Sequence, residues 1–182
     1  MILPPVLRKA ALTAHVTSSV GWLGSVVAFL ALAVAGVTSR DDQTVRAVYL
    51  AMEVLGWAVL VPLAVASMVT GLMQSLGTPW GLFRHYWVLV KLAMTGLATA
   101  VLLLYTTTLT YLADVAADPA AVGDQSRALP SVSPVLHSGA ALIVLLIAAA
   151  LSVFKPRGLT PYGWRKQQQQ STGPPFTHRR PA

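Results

Sequence analysis

The sequence contains no cysteine, and only 6 of its 182 residues are acidic. Without cysteine the chain can form no disulfide, no thiolate metal site and no cysteine nucleophile. Charged residues of both signs make up 10% of the chain, whereas apolar residues make up 55%. This composition is too poor in charge for an ordinary water-soluble domain, and the chain has room for one small helical bundle.

Long apolar stretches, in contrast, fill most of the chain. Each is about as long as the roughly 20 residues that an α-helix needs to cross the hydrocarbon core of a bilayer. We therefore predict an all-α fold, an antiparallel up-down bundle of four transmembrane helices within residues 1–166. The predicted spans are residues 12–37, 48–76, 86–112 and 135–154.

The basic residues are distributed unevenly along these spans. Most Lys and Arg residues lie at alternate ends of the spans, whereas Arg40, Arg46 and Arg127 lie in connections that also contain Asp. Because Lys and Arg resist translocation, we predict a multi-pass plasma-membrane protein with both termini in the cytoplasm. The net charge of +7 is then a signal of topology, which makes nucleic acid a poor candidate partner.

The last part of the chain differs from the spans. Residues 167–182 contain four consecutive glutamines and a proline-rich end, a composition typical of a disordered polar tail. The basic segment before this tail is expected to lie against the anionic inner leaflet, with an attraction of roughly 1 kcal/mol per basic residue. Within the second span, Pro62 is expected to disturb the helix because it cannot donate a backbone hydrogen bond.

Polar residues inside the spans are the candidates for function, because polar groups are costly in hydrocarbon. Depth along each helix, counted at about 1.5 Å per residue, sorts these residues into two layers. His15 and His85 fall near the cytoplasmic boundary, and Lys91 lies somewhat deeper. Glu53, Tyr105 and His137 fall together in the outer half of the membrane.

The first layer suggests a haem site. His15 and His85 lie on helices that are diagonal in an up-down bundle, so the two imidazoles could ligate a b-type haem from both faces. Nearby basic side chains such as Arg8 and Lys91 could pair with the haem propionates. The alternative is structural: His85 faces the headgroups, and His15 is hydrogen-bonded within the bundle.

The second layer suggests a metal or proton site. An ionised Glu53 is expensive inside a span, so it should be protonated or paired, and His137 is the candidate partner at that depth. Such a pair could bind a divalent metal or a proton in a small transporter, or could be structural.

No catalytic motif is recognisable in the sequence, which favours a non-catalytic membrane protein over an enzyme. Stripes of small and polar residues on the first two spans indicate close helix packing. Such stripes fit an accessory subunit that associates with a membrane partner or with a second copy of itself.

Three segments of the chain also carry a resemblance to known proteins. These are HVTSSVGWLG at residues 15–24, GTPWGLFRHYWVLVK at residues 77–91 and LSVFKPRGLTPYGW at residues 151–164. Together they resemble a group of small four-helix membrane proteins of high-GC Gram-positive bacteria, for which no activity is established. The resemblance extends to Lys166 and implies the same fold and a membrane location.

The first of these segments is similar, more distantly, to the first helix of copper-resistance D-type membrane proteins. That resemblance implies copper or haem at His15. The chain departs from a copper protein because it has no Cys and no cluster of Met residues.

Overall fold

A computed structural model describes residues 4–77, 82–118, 129–156 and 158–171. Within these ranges the chain is all-α, apart from an isolated antiparallel β-bridge between His85 and Leu159. The helices are α1 (Pro5–Thr38), α2 (Asp42–Leu55), α3 (Val61–Gly77), α4 (Tyr86–Ala117), α5 (Ser133–Phe154) and α6 (Pro161–Ser171).

Four helical segments are long and apolar enough to cross a membrane. They are α1, the continuous second span Asp42–Gly77, α4 and α5. Large apolar side chains such as Leu104, which is 75% exposed, point away from the bundle, as expected where lipid is the solvent. The predicted all-α bundle of four membrane helices is confirmed.

The four spans form a ring in which each span packs against two neighbours. α1 packs against the second span and α5, and α4 packs against the same two. In the described ranges the backbones of α1 and α4 do not approach each other closely, nor do those of the second span and α5. The first and third spans are therefore diagonal, as an up-down order requires.

The second span changes its hydrogen-bonding pattern just before Pro62. Residues Gly56–Leu60 form a π-helical segment between α2 and α3, and the Val61 N–H bonds to the Gly56 carbonyl five residues earlier. In a regular α-helix, the proline ring collides with the carbonyl four residues before it. A π-helical turn is one way in which a helix absorbs such a disturbance.

The half of the bundle near the α1–α2 connection holds the tightly packed core, which we call the packed end. Tyr49, Met52 and Leu109 are each at most 1% exposed there. The Tyr49 hydroxyl accepts a hydrogen bond from the Ser131 N–H at 2.6 Å, which ties the segment before α5 to α2. Other buried members of this core are Phe29, Ala33, Val45, Val48, Leu112 and Ala116.

Side chains also satisfy the helix termini at the packed end. The Asp41 carboxylate accepts a hydrogen bond from the Thr44 N–H at 2.9 Å and another from its hydroxyl, which caps α2. The Arg46 guanidinium donates to the carbonyls of Ala116 at 3.0 Å and Asp118 at 2.7 Å. Arg46 therefore satisfies carbonyls that α4 leaves unpaired where it ends.

The segment after α5 differs from the sequence-based expectation. Disorder was predicted from residue 167, but the structure continues α6 to Ser171. Pro161 suits the first turn of a helix, and the Thr160 hydroxyl accepts a hydrogen bond from the Gly163 N–H at 3.1 Å. Gln, Lys and Arg then propagate the helix well. The rest of the predicted tail, residues 172–182, lies outside the described residues.

Candidate binding cleft

At the end of the bundle opposite the packed end, the four spans surround a cavity of about 700 Å³. It is lined by the start of α1, the end of α3, the start of α4 and the end of α5. Trp22 and Leu145 lie where this cavity meets the buried core. Its volume is in the range of roughly 300–1,000 Å³ that is typical of ligand sites in proteins. We call it the cleft.

The charged side chains among the described residues of the cleft are all basic. Arg8, Lys91 and Lys155 line it, and the described lining residues include no Asp and no Glu. Most of the remaining wall is apolar, with Leu12, Val16, Val20, Leu92, Ala149 and Val153. The cleft therefore combines positive charge with a largely hydrocarbon surface.

Lys91 lies furthest from a helix end among these basic residues. Its Nζ donates a hydrogen bond to the Ser152 hydroxyl of α5 at 3.2 Å and lies 6.0 Å from the ring centroid of Trp87. An ammonium group has three N–H donors, and within the described residues Lys91 has no acidic partner. Because an uncompensated charge is costly inside a membrane, Lys91 is a candidate functional residue.

His15 lies in the same cleft and is hydrogen-bonded to α3. Its Nδ1 lies 3.1 Å from the Ser67 carbonyl oxygen and 3.1 Å from the Thr70 hydroxyl. A carbonyl can only accept, so we assign the proton of the neutral imidazole to Nδ1, which leaves Nε2 as an acceptor. Histidines that bind metals are commonly oriented by a hydrogen bond of this kind.

His85, the second predicted haem ligand, lies just outside α4. It precedes α4, pairs with Leu159 in the β-bridge, and has its ring centroid 6.3 Å from that of Trp87. Of the two histidines, only His15 is among the described residues that line the cleft. Ligation of one haem by both histidines stays a prediction.

No hydrogen bond or ion pair links Glu53 to His137. The His137 Nδ1 lies 2.9 Å from the Ser133 carbonyl oxygen, and its ring stacks on Tyr105 with centroids 4.1 Å apart. Glu53 is half-buried on α2, and its carboxylate has no hydrogen bond or ion pair with a described residue. No group of three or more His, Asp or Glu gathers among those residues. A metal or proton site at Glu53 and His137 stays a prediction.

The sequence placed Ser67 and Gln74 on a packing stripe of the second span, but it did not give their hydrogen-bond partners. Ser67 accepts from His15 through its carbonyl, and its hydroxyl lies 2.8 Å from that of Ser19. The Gln74 amide donates to the Ala11 carbonyl at 3.0 Å. The signal in the sequence was the helical spacing of Ser67 and Gln74, which lie on one face of the second span together with small residues such as Gly71.

No family model, curated protein or solved structure matches this chain. The resemblances to the small four-helix proteins and to the copper-resistance proteins therefore stay predictions. The function has to be argued from the residues of the cleft.

Proposed function

We propose that this membrane protein binds an anionic amphiphile, a molecule with an acidic head and an apolar body, in the cleft. The observation that carries the proposal is the presence of Arg8, Lys91 and Lys155 beside apolar walls, with no acidic side chain among the described lining residues. An anion would offset the cost of the Lys91 charge through a charge-assisted hydrogen bond.

The distribution of charge along the cleft suggests how such a ligand lies. Arg8 is in the first turn of α1, and Lys155 directly follows the last residue of α5. Val20 and Leu145 line the cleft further from the helix ends. The acidic head would therefore lie near the membrane boundary with the apolar body directed toward the packed end, which is the orientation of a lipid in the adjoining leaflet.

Two kinds of molecule share this chemistry. An acyl lipid has a carboxylate or phosphate head on a hydrocarbon chain, and haem b has two carboxylates on an apolar ring. The unprotonated Nε2 of His15 favours haem as the second candidate, because a single histidine can serve as its protein ligand. In that case the basic residues of the cleft would pair with the propionates.

The first experiment uses the full-length protein in nanodiscs of neutral phosphatidylcholine. With the other three tryptophans replaced by Phe, the fluorescence comes from Trp22 and Trp87, which line the cleft, and a nitroxide-labelled fatty acid that enters it will quench them. We expect stronger quenching by the acid than by its methyl ester. Lys91→Gln should weaken binding of the acid about tenfold or more, as expected for the loss of a hydrogen bond to a charged group worth about 1.5–3 kcal/mol.

Lys9→Gln is the matched control, because Lys9 is exposed on α1 and is absent from the described lining of the cleft. The proposal predicts that this control binds the acid as the wild type does. Equal quenching by the acid and the ester, or equal weakening in the two variants, contradicts it.

A parallel titration with haemin separates the two candidates. A Soret band that requires His15 and survives His85→Ala assigns the cleft to haem with one histidine ligand. A band that requires both histidines supports the bis-histidine site predicted from the sequence. A flat visible spectrum together with quenching by the fatty acid assigns the cleft to an acyl amphiphile.

We further propose that the protein lies in the plasma membrane with its cleft end and both termini on the cytoplasmic side. The excess of basic residues at this end supports the orientation. Because the chain has no cysteine, a single cysteine at residue 40 should react with an impermeant maleimide outside intact cells, whereas one at residue 158 should not.

A further inference from the structure

The chain that follows α5 is fastened to the chain that precedes α4. The Thr160 N–H donates to the Arg84 carbonyl at 3.1 Å, and the Tyr86 N–H donates to the Gly158 carbonyl at 3.3 Å. The Thr160 hydroxyl also accepts from the Gly163 N–H at 3.1 Å, so the same residue caps α6. These bonds fix the start of α6 beside the start of α4, where a membrane span begins.

Gly163 is the point at which α6 meets the rest of the protein. It is buried, whereas its neighbours on α6 are exposed. A Cβ at this position would collide with the backbone carbonyl oxygen of Arg84 and would come within 3.1 Å of the Leu159 side chain. Because a backbone atom cannot move aside cheaply, the close approach of α6 requires glycine here.

Aromatic and basic side chains lie on the outer surface of α6. Tyr162 is 52% exposed and Trp164 is 58% exposed, although both are large and largely apolar. Helical spacing places Arg165 and Lys166 on the same face as Tyr162, and the Lys166 Nζ lies 5.7 Å from the Tyr162 ring centroid. The helix contains no acidic residue.

We propose that α6 lies in the headgroup layer of the membrane and binds anionic lipid there. Tyr and Trp are enriched where hydrocarbon meets the headgroups, and Tyr162 and Trp164 suit that depth. Arg165 and Lys166 would contact lipid phosphates, since basic residues next to a membrane are attracted to its negative surface. The partner is a bilayer surface, so this proposal does not depend on the occupant of the cleft.

The absence of cysteine allows a direct test with single spin labels. The full-length Gln167→Cys variant carries a nitroxide on exposed α6, and Arg40→Cys carries one in the exposed α1–α2 connection. Both are placed in nanodiscs of phosphatidylcholine, with or without phosphatidylglycerol. Collision rates with oxygen, which concentrates in lipid, and with a neutral nickel chelate, which stays in water, are then measured.

We expect the label on α6 to collide less with nickel and more with oxygen than the label at residue 40, and the difference to grow with phosphatidylglycerol. The double variant Arg165→Gln, Lys166→Gln should remove this dependence on phosphatidylglycerol, because each basic residue raises the affinity for an anionic membrane surface about fivefold. Equal nickel collision rates at the two sites in both lipids overturn the proposal.

Two glycine variants test whether the contact at Gly163 positions the helix. Gly163→Ala should raise nickel collisions at the α6 label, since a Cβ there displaces α6 from Arg84. Gly158→Ala is the control, because its Cβ would meet no atom closer than the Tyr86 ring at 3.9 Å. If Gly163→Ala leaves the collision rates as in the control, the role given to this contact is wrong.

Discussion

The two ends of the bundle are built from the same spans, but side chains of different size face the interior. At the packed end Phe29, Tyr49 and Leu109 fill it and are 4%, 1% and 1% exposed. At the cleft end, positions such as Ser67 and Ala148 carry small side chains, and the cleft remains between the spans. Apolarity alone cannot favour the interior in lipid, so side-chain size and hydrogen bonding decide where the helices close together.

Hydrogen bonds also satisfy different groups at the two ends. At the packed end Asp41 and Arg46 satisfy helix termini, and Arg46 thereby also joins α2 to α4. At the cleft end side chains bridge neighbouring spans, as His15 does to Ser67 and Lys91 does to Ser152. We therefore expect substitutions at the packed end to change mainly stability and those at the cleft end to change mainly binding.

The largest expected effect is the loss of Leu109. Leu109→Ala truncates a side chain that is 1% exposed, and we expect it to cost about 2–5 kcal/mol of unfolding free energy. Leu92→Ala makes the same change on the same helix, but in the wall of the cleft, and should cost less than about 1 kcal/mol. Unfolding in mixed detergent micelles measures the free energy of each variant. Similar losses of unfolding free energy in the two variants would mean that the two ends are packed alike.

A smaller contrast is expected between two glycines. A Cβ at Gly56 would lie 2.6 Å from Leu109 in the packed end, and one at Gly71 would lie 3.0 Å from the His15 ring. Gly56→Ala should cost about 1–3 kcal/mol, since a filled core resists added atoms. Gly71→Ala should cost less, because the imidazole can move into the cleft, but it should weaken any ligation by His15.

Gly24→Ala is the control for this pair, since a Cβ there would meet no atom within 4 Å. The same unfolding measurement applies, supplemented by the haemin titration for Gly71→Ala. A larger loss of stability at Gly71 than at Gly56 would contradict the contrast between the two ends.

The spans were predictable because the length of an apolar run directly reflects the thickness of a bilayer. The contacts between residues on different helices were harder to predict from the sequence. Counting residues from mid-span gives depth, but it does not give the rotation of each helix about its axis. Glu53, Tyr105 and His137 were placed at one depth. Of these, His137 and Tyr105 stack on each other, whereas the Glu53 carboxylate has no hydrogen bond with a described residue.

The hydrogen-bond partners of the residues that line the cleft, and the docking of α6, depend on short-range geometry that cannot be read from the sequence. The bond from His15 to the Ser67 carbonyl uses the backbone, which every residue has, so no residue type marks it. Gly163 is another example, because its close approach to Arg84 arises only when two distant segments meet.

The smallest expected effect concerns Asp41, an exposed cap at the packed end. Hydrogen bonds from Thr44 hold the pKa of this carboxyl below its ordinary value of 3.8. The ionised carboxylate therefore stabilises the fold above that value, and this contribution is lost as the pH falls through the lowered pKa. Asp41→Asn keeps a cap acceptor but does not titrate, so the wild type should melt slightly higher near neutral pH. The difference in melting temperature between the two proteins, followed from neutral pH into this acidic range, should shrink toward zero. A difference that stays constant with pH would mean that the carboxylate charge at this cap does not contribute to stability.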